Sequence, residues 1–302
     1  MRGRLRLGTV SSAEKDLTIG AVLDQIVHRA AEEVEATAAA ALSDEPDGVH
    51  QHRVRVRRLR SVLAGFQDSL DTRSAQRLRV AFSQWGSELG VVRDIEVRAA
   101  VAEETMREAG IEDAEVVRRL IDSEREAYVA AHARLVELAN RTRAQERNQR
   151  LREFVDALVV AEPERDAAPV LSDVLQSQTK RVLRVGRHLD ESDERYHDLR
   201  KAARRAKYVA EAVAEAAPGL WTKKVEALAE AGDDLHDALG DHRDGMLLAY
   251  RARHEGALAG RAGERADVYD TIADLAQKAA EEHLADVPKA LRRLEDAASD
   301  LP

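Results

Sequence analysis

The chain contains no cysteine. That excludes a disulfide framework, a thiolate metal site and a thiol nucleophile. Aromatic residues make up 3% of the 302 residues, yet hydrophobic residues reach 44%. A core so poor in rings must be built mainly from Ala, Leu and Val. Ala and Leu, with abundant Glu and Arg, favour helix, and the residues that favour strands are comparatively scarce. The expected fold class is therefore all-α. No run of about 18 apolar residues occurs, so no membrane-spanning helix is expected. The N-terminal MRGRLRLGTV is basic but lacks the apolar stretch of a signal peptide. The expected location is the cytoplasm.

Two segments concentrate basic charge, and they organise the chain. One is Val49 to Leu70, VHQHRVRVRRLRSVLAGFQDSL; the other is Tyr196 to Ala217, YHDLRKAARRAKYVAEAVAEAA. At an offset of 147, His50 falls on His197, Arg53 on Arg200, Arg57 on Arg204, Arg58 on Arg205 and Arg60 on Lys207. Residues 48–67 carry +5 and residues 195–210 also carry +5. The net charge is −9, which leaves −19 on the remainder. An acidic protein with two concentrated basic segments points to a focused anion site.

Residues 1–17 read as an N-terminal leader. Apolar periodicity predicts helices over 18–42 and 49–70, separated by SDEPDG, in which Asp47 is a candidate cap. Further helices are expected at about 72–89, 92–109, 113–140 and 143–160, with Gly90 as a bend. AEPERDAAP (161–169) reads as a linker. Beyond it the pattern restarts over 170–189, 194–217 and 220–239. Helices at 241–255, 265–284 and 288–298 follow. LGVVRD (89–94) returns as LGDHRD (239–244). The chain thus divides into repeat 1 (18–160), the linker and repeat 2 (170–302), with a period near 150. The expected architecture is two pseudo-symmetric antiparallel helical bundles around a basic central groove or pore. Because the matching basic helices share one site, the repeats form one unit.

On a helical wheel His50, Arg53, Arg57, Arg60 and Ser61 share one stripe, opposite Val56, Leu59, Leu63 and Phe66. In the second helix His197, Arg200, Lys201, Arg204, Lys207 and Tyr208 lie opposite Leu199, Ala203, Ala206, Val209 and Val213. Like charges at i,i+4 repel, so a solvated face normally mixes signs. A single-sign stripe kept in both repeats favours a ligand over a solvated surface. From His50 to Arg60 the stripe spans about 15 Å at the helical rise. Two facing stripes fit an extended row of phosphates, bound by planar guanidinium forks. Arg58, Arg205 and Lys201 fall at the edges, and Lys180, Arg181 and Arg184 on the preceding helix extend the basic lining. His52 falls on the apolar side and reads as packing. Nearby cations are expected to depress the pKa of His50 and His197.

Other ligand classes fit less well. Nucleic acid is disfavoured by the acidic remainder and by the lack of stacking aromatics. A metal site is conceivable, since Asp47-x-x-His50 and Glu194-x-x-His197 each place an acid before a histidine. Those acids also stand where helix caps stand, and flanking arginines oppose a cation. No Gly-rich phosphate loop, nucleophile elbow or triad is evident. No catalytic residue, metal or cofactor is expected, although a phosphate-processing enzyme or its regulatory subunit remains an alternative. The recurring Arg93-Asp94 and Arg243-Asp244 read as ion pairs ordering a bend.

HQHRVRVRRLRSVL, YHDLRKAARRAKYV and LGVVRDIEV together resemble the signatures of the CHAD family, the conserved histidine α-helical domain. The resemblance covers about residues 14–298. It implies two pseudo-symmetric helical bundles around a basic cavity, binding of inorganic polyphosphate without catalysis, and association with polyphosphate granules. Relatives often carry a triphosphate-tunnel (CYTH) domain upstream. The short stretch before the first repeat leads to the expectation that it is absent here. Two departures stand out: His52 replaces an aliphatic residue, and Gly245 follows LGDHRD and is expected to loosen that helix.

Overall fold

A computed structural model describes residues 17–187, 189, 193–299 and 301. The expected leader lies outside the described residues except for Leu17. Among the described residues the chain is all helical apart from loops and two isolated bridges, Thr18 with Asp166 and Leu70 with Val160. The helices are α1 (Ile19–Leu42), α2 (Gly48–Gly65), α3 (Thr72–Glu108), α4 (Ala114–Val117), α5 (Ser123–Ala139), α6 (Thr142–Asp156), α7 (Ala167–Gly186), α8 (Asp193–Ala216), α9 (Thr222–Arg261) and α10 (Asp267–Ser299). Side chains of Thr18, Asp71, Asp113 and Asp166 accept backbone N–H groups at the starts of α1, α3, α4 and α7. Each such cap is worth about 0.5–2 kcal/mol.

Several expected breaks are absent. Residues 72–108 form one helix through Gly90, and residues 222–261 form one helix through Gly240 and Gly245. Glycine costs a helix about 1 kcal/mol relative to alanine, but here it permits close approach. A Cβ at Gly245 would meet the Ala276 carbonyl oxygen at 3.0 Å, so this glycine brings α9 onto α10 and does not loosen the helix. α10 runs through Pro288, in place of the break expected there. Val287 and Ala290, on either side of it, are buried and hold that turn in place. The pattern over 113–140 is realised as α4, a π-helical turn (Arg118–Asp122) and α5. Asp47 precedes α2 in a left-handed conformation, φ 60°, and its carboxylate accepts Gln51 Nε2 instead of capping the backbone.

Segment 161–169 is not a free tether. Its Pro163 and Arg165 carbonyls accept the N–H groups of Gly20 and Ile19, and Ala161 N–H donates to Ser69. It therefore fastens the start of α1 and the α2–α3 loop. One apolar core draws on α1, α2 and α3 and also on α7, α8 and α9. A smaller cluster joins Met106 and the π turn's Leu120 and Ile121 to Leu248 on α9 and Ile272 on α10. Beside it, buried Glu124 accepts both Arg98 Nε and Nη2 at 2.9 and 3.0 Å and also pairs with Arg251, cross-linking α3, α5 and α9. This interlock sets α2 and α8 against each other. They touch where a Cβ on Gly65 would collide with the Val209 side chain.

Candidate functional site

α2 and α8 turn Val56, Leu59, Val62 and Leu63, and Leu199, Ala203, Ala206 and Val209, into the core. Their basic stripes are left toward the space between them. Arg53, Arg57, Arg200 and Arg204 come together there; burial lowers the pKa of each, and the Arg200 charge adds to the lowering of the other three. Burial pushes Arg57 down to about 9, with Arg53 and Arg204 adding to the effect. Burial likewise pushes Arg204 down to about 10. Among the described residues neither has a hydrogen-bond or ion-pair partner.

The other stripe residues divide by environment. Arg53 Nη2 lies 3.2 Å from Asp94 Oδ1, and its buried Nε has no partner among the described residues. Arg200 Nε donates to the His236 carbonyl at 3.3 Å. Arg60 donates to Ser83 Oγ at 3.0 Å and Arg205 to Gln178 Oε1 at 2.6 Å. Lys201 is exposed and pairs with Asp198 at 3.4 Å. Lys207, expected on a wall, is held by Asp233 and lies 3.9 Å from Glu211. Arg58, expected at the groove edge, faces away: it is buried against Glu215 of α8 and Glu33 of α1. One helical position, about 100°, separates it from Arg57 and decides this.

A cavity of about 340 Å³ opens where α2, α3, α7 and α8 meet. Arg57, Arg60, Arg79, Arg181, Lys201, Arg204 and Arg205 line it, with Ser61, Ala64, Gln76, Val80 and Ser83, and no carboxylate. Lys180 and Arg184 are exposed and do not line it. A second cavity, about 550 Å³, lies at the other end of the α8 stripe, where His197 and Arg200 meet Tyr196, His242, Arg243 and Tyr250. His50 is half-buried and His197 exposed. Both pKa values are lowered, by burial first; Arg93 then acts on His50, and Lys201 and Arg243 on His197. Burial thus leads where cations were expected to.

The Leu-Gly-x-x-Arg-Asp segments do not bend. A Cβ at Gly90 would meet Arg53 Nη2 at 3.4 Å, and one at Gly240 would meet Arg200 Nη2 at 2.6 Å. In each half the glycine clears a seat for a stripe arginine. Asp94 then takes the Arg53 guanidinium, while Arg93 pairs with Glu96 at 2.7 Å and not with Asp94. Arg243 and Asp244 approach only to 4.0 Å. The recurrence was visible in the sequence; what the glycine faces was not.

Two participants, Arg79 and His236, had no sequence signal. Arg79 lines the cavity from α3 without an echo in the second half. Buried His236 is driven to a pKa of about 2, by burial and then by Arg200, Arg204, Arg57 and Lys207. Tyr208, expected on the basic side, is buried beside Arg57 and Lys207, with its pKa raised chiefly by burial. His52 is a packing residue. Thr37 Oγ1 donates to the Glu33 carbonyl, so it accepts from His52 Nδ1–H at 2.9 Å, leaving Nε2 to accept Trp85 Nε1–H at 2.9 Å. Among the described residues no group of three or more His, Asp or Glu is placed to hold a metal ion.

The fold matches solved structures. A CHAD domain from the plant Ricinus communis superposes with a TM-score of 0.66 at 22% identity, covering 95% of this chain and 94% of that one. PptA from Streptomyces chartreusis superposes with a TM-score of 0.61 at 17% identity, covering 94% and 100%. Two curated relatives, proteins MT2285 and Rv2226 of Mycobacterium tuberculosis strains, are each 29% identical over 274 residues, 84% of this chain. The chain spans about half the length of these relatives, 49% of each. The family model for the CHAD domain matches residues 25–253, a span that takes in both basic helices and both Leu-Gly-x-x-Arg-Asp segments, and the chain belongs to the CHAD family.

Proposed function

We propose that the chain binds inorganic polyphosphate, without turning it over, in the basic groove between α2 and α8. The CHAD family is linked generally to polyphosphate-related functions. The observation that carries the reading is the cavity lined by seven cations and no carboxylate, in a chain of net charge −9. Desolvating Arg57 and Arg204 without partners costs stability. A row of phosphates supplies the missing counter-charges and accepts guanidinium forks two oxygens at a time. The lining holds no aromatic ring to stack a base. His50 and His197, kept neutral at pH 7, serve as hydrogen-bond donors and not as fixed charges. Through this groove the chain would dock on polyphosphate granules. No described helix is long and apolar enough to cross a membrane.

The test is calorimetric titration with long-chain polyphosphate at several salt concentrations. Binding is expected at low salt, with log affinity falling linearly against log salt as counterions are released. Orthophosphate should compete poorly, and no orthophosphate should be released. No binding at low salt, or tighter binding to duplex DNA, would overturn the reading; released phosphate would point to an enzyme.

Gly240 gives a separate check. Gly240→Ala adds a methyl where Arg200 Nη2 now lies. The guanidinium is a flexible end and swings away, while alanine favours the helix by up to about 1 kcal/mol. The variant is expected to melt no lower than wild type yet to bind polyphosphate more weakly. Gly232→Ala should do the opposite, because its Cβ would press on backbone atoms, Lys207 N at 3.1 Å and the Ala203 carbonyl oxygen at 3.3 Å.

A further inference from the structure

A larger cavity, about 740 Å³, lies on the other side of α3, between α3 and the α5–α6 region. Arg77, Arg141, Arg143, Arg147 and Arg150 line it, against a single carboxylate, Glu88. Its centre is Arg147. That guanidinium lies over the Trp85 ring, 4.4 Å from the centroid, and 5.5 Å from that of Phe82. Its Nε donates to Asn148 Oδ1 at 3.2 Å, and among the described residues no carboxylate reaches it. Burial pushes its pKa down to about 10. Two aromatic rings hold the cation in place by cation–π attraction, but no described carboxylate neutralises it. Arg77 and Arg141 likewise have no carboxylate partner among the described residues, and Arg143 is bonded to neutral Gln84.

This cavity adjoins the groove. Gln76 and Val80 line both, and both are exposed, Val80 by 50%. Arg77 faces one cavity and Arg79 the other. The first turns of α3 are therefore a low ridge with unneutralised arginines on either side.

We propose that a polyphosphate chain seated in the α2–α8 groove continues over the start of α3 into the α3–α6 cavity, where Arg147 and its neighbouring arginines form a second phosphate-binding site. This rests on the polyphosphate reading above and extends it. The second site is used by long chains only, because a short chain is satisfied within the groove. It makes affinity rise with chain length beyond what the groove holds.

The experiment compares wild type, Arg77→Glu with Arg143→Glu, and a control pair, Arg253→Glu with Arg265→Glu, against long-chain polyphosphate and tripolyphosphate. All four positions are exposed, so the folds should survive; circular dichroism checks this, and Gln replaces Glu if either pair misfolds. For the first pair, affinity for the long chain should fall at least about tenfold and the salt slope by about two, because two cations no longer pair with phosphates. Tripolyphosphate affinity should stay at the wild-type value, and the control pair should bind both ligands as wild type does. Unchanged long-chain affinity, an equal loss for tripolyphosphate, or an equal loss in the control pair overturns the second site. Failure of wild type to bind either ligand instead overturns the underlying reading.

Discussion

Replacing Arg57 and Arg204 together with methionine is expected to abolish polyphosphate binding while raising the melting temperature. The two effects share one cause. Both guanidinium groups are half-buried, face other arginines, and have no carboxylate among the described residues. In the free protein they are a cost, and burial followed by like charge lowers both pKa values. Apolar replacements of similar volume at buried charges stabilise by about 1–4 kcal/mol. In a chain of this size each kcal/mol raises the melting temperature by roughly 2 °C. Thermal melts and polyphosphate titration on the same preparation check both halves. A lower melting temperature would mean that these charges support the fold, and the case for a ligand-shaped cavity would fail. Arg58→Met supplies the contrast. Arg58 is one residue along, 7% exposed, and neutralises Glu215 and Glu33. Its loss takes from the half-buried Glu215 and Glu33 their most buried partner, leaving them Arg29 and Arg55 alone, and should cost about 1–3 kcal/mol.

The second large effect is a loss of stability on acidification. His52 and His236 are buried, with folded-state pKa values of about 4 and about 2, lowered chiefly by burial. In the unfolded chain both titrate near the ordinary value of 6.5. A depressed histidine pKa means that the unfolded state takes up protons first. Their stabilising effect is therefore complete above pH 6.5 and is lost as pH falls. Each histidine contributes a slope of about 1.4 kcal/mol per pH unit, roughly 2.7 together between pH 6 and 4. Glu211, Asp237 and Asp244 act in the opposite sense, since burial raises their pKa values and the folded state protonates first. Urea unfolding of His52→Gln with His236→Gln isolates the histidine part. Its stability should change with pH less steeply than wild type by that amount. Parallel pH curves would refute it. Protonation of His52 would also set N–H against the Trp85 donor, so indole fluorescence should report its share.

The legible part of the site lay in charge sign and periodicity. Arg53, Arg57, Arg200 and Arg204 sit on the polar sides of amphipathic helices, and their apolar partners Val56, Leu59, Leu199 and Ala203 are buried as the wheel required. Arg58 and Lys207 were misplaced because a wheel knows one helix only. Glu33, Glu215 and Asp233 come from α1, the far end of α8, and α9. Arg79 and Arg147 were missed because neither belongs to a repeated motif. Gly90 and Gly240 were read as bends because glycine and a bend share a local signature. In the fold both are helical, and an arginine from another helix fills the space beside each.

The sequence alone determined the helical class, the pairing of two single-sign helices and the arginine rows upon them, because these follow from composition and from a 3.6-residue period within single segments. Tertiary structure decided which arginines stay unneutralised. That depends on which carboxylates other helices bring within about 4 Å, close enough for attraction to offset desolvation at least in part. Arg58 met Glu215 and became part of the fold; Arg57, its neighbour in the chain, met Arg204 and stays unneutralised among the described residues.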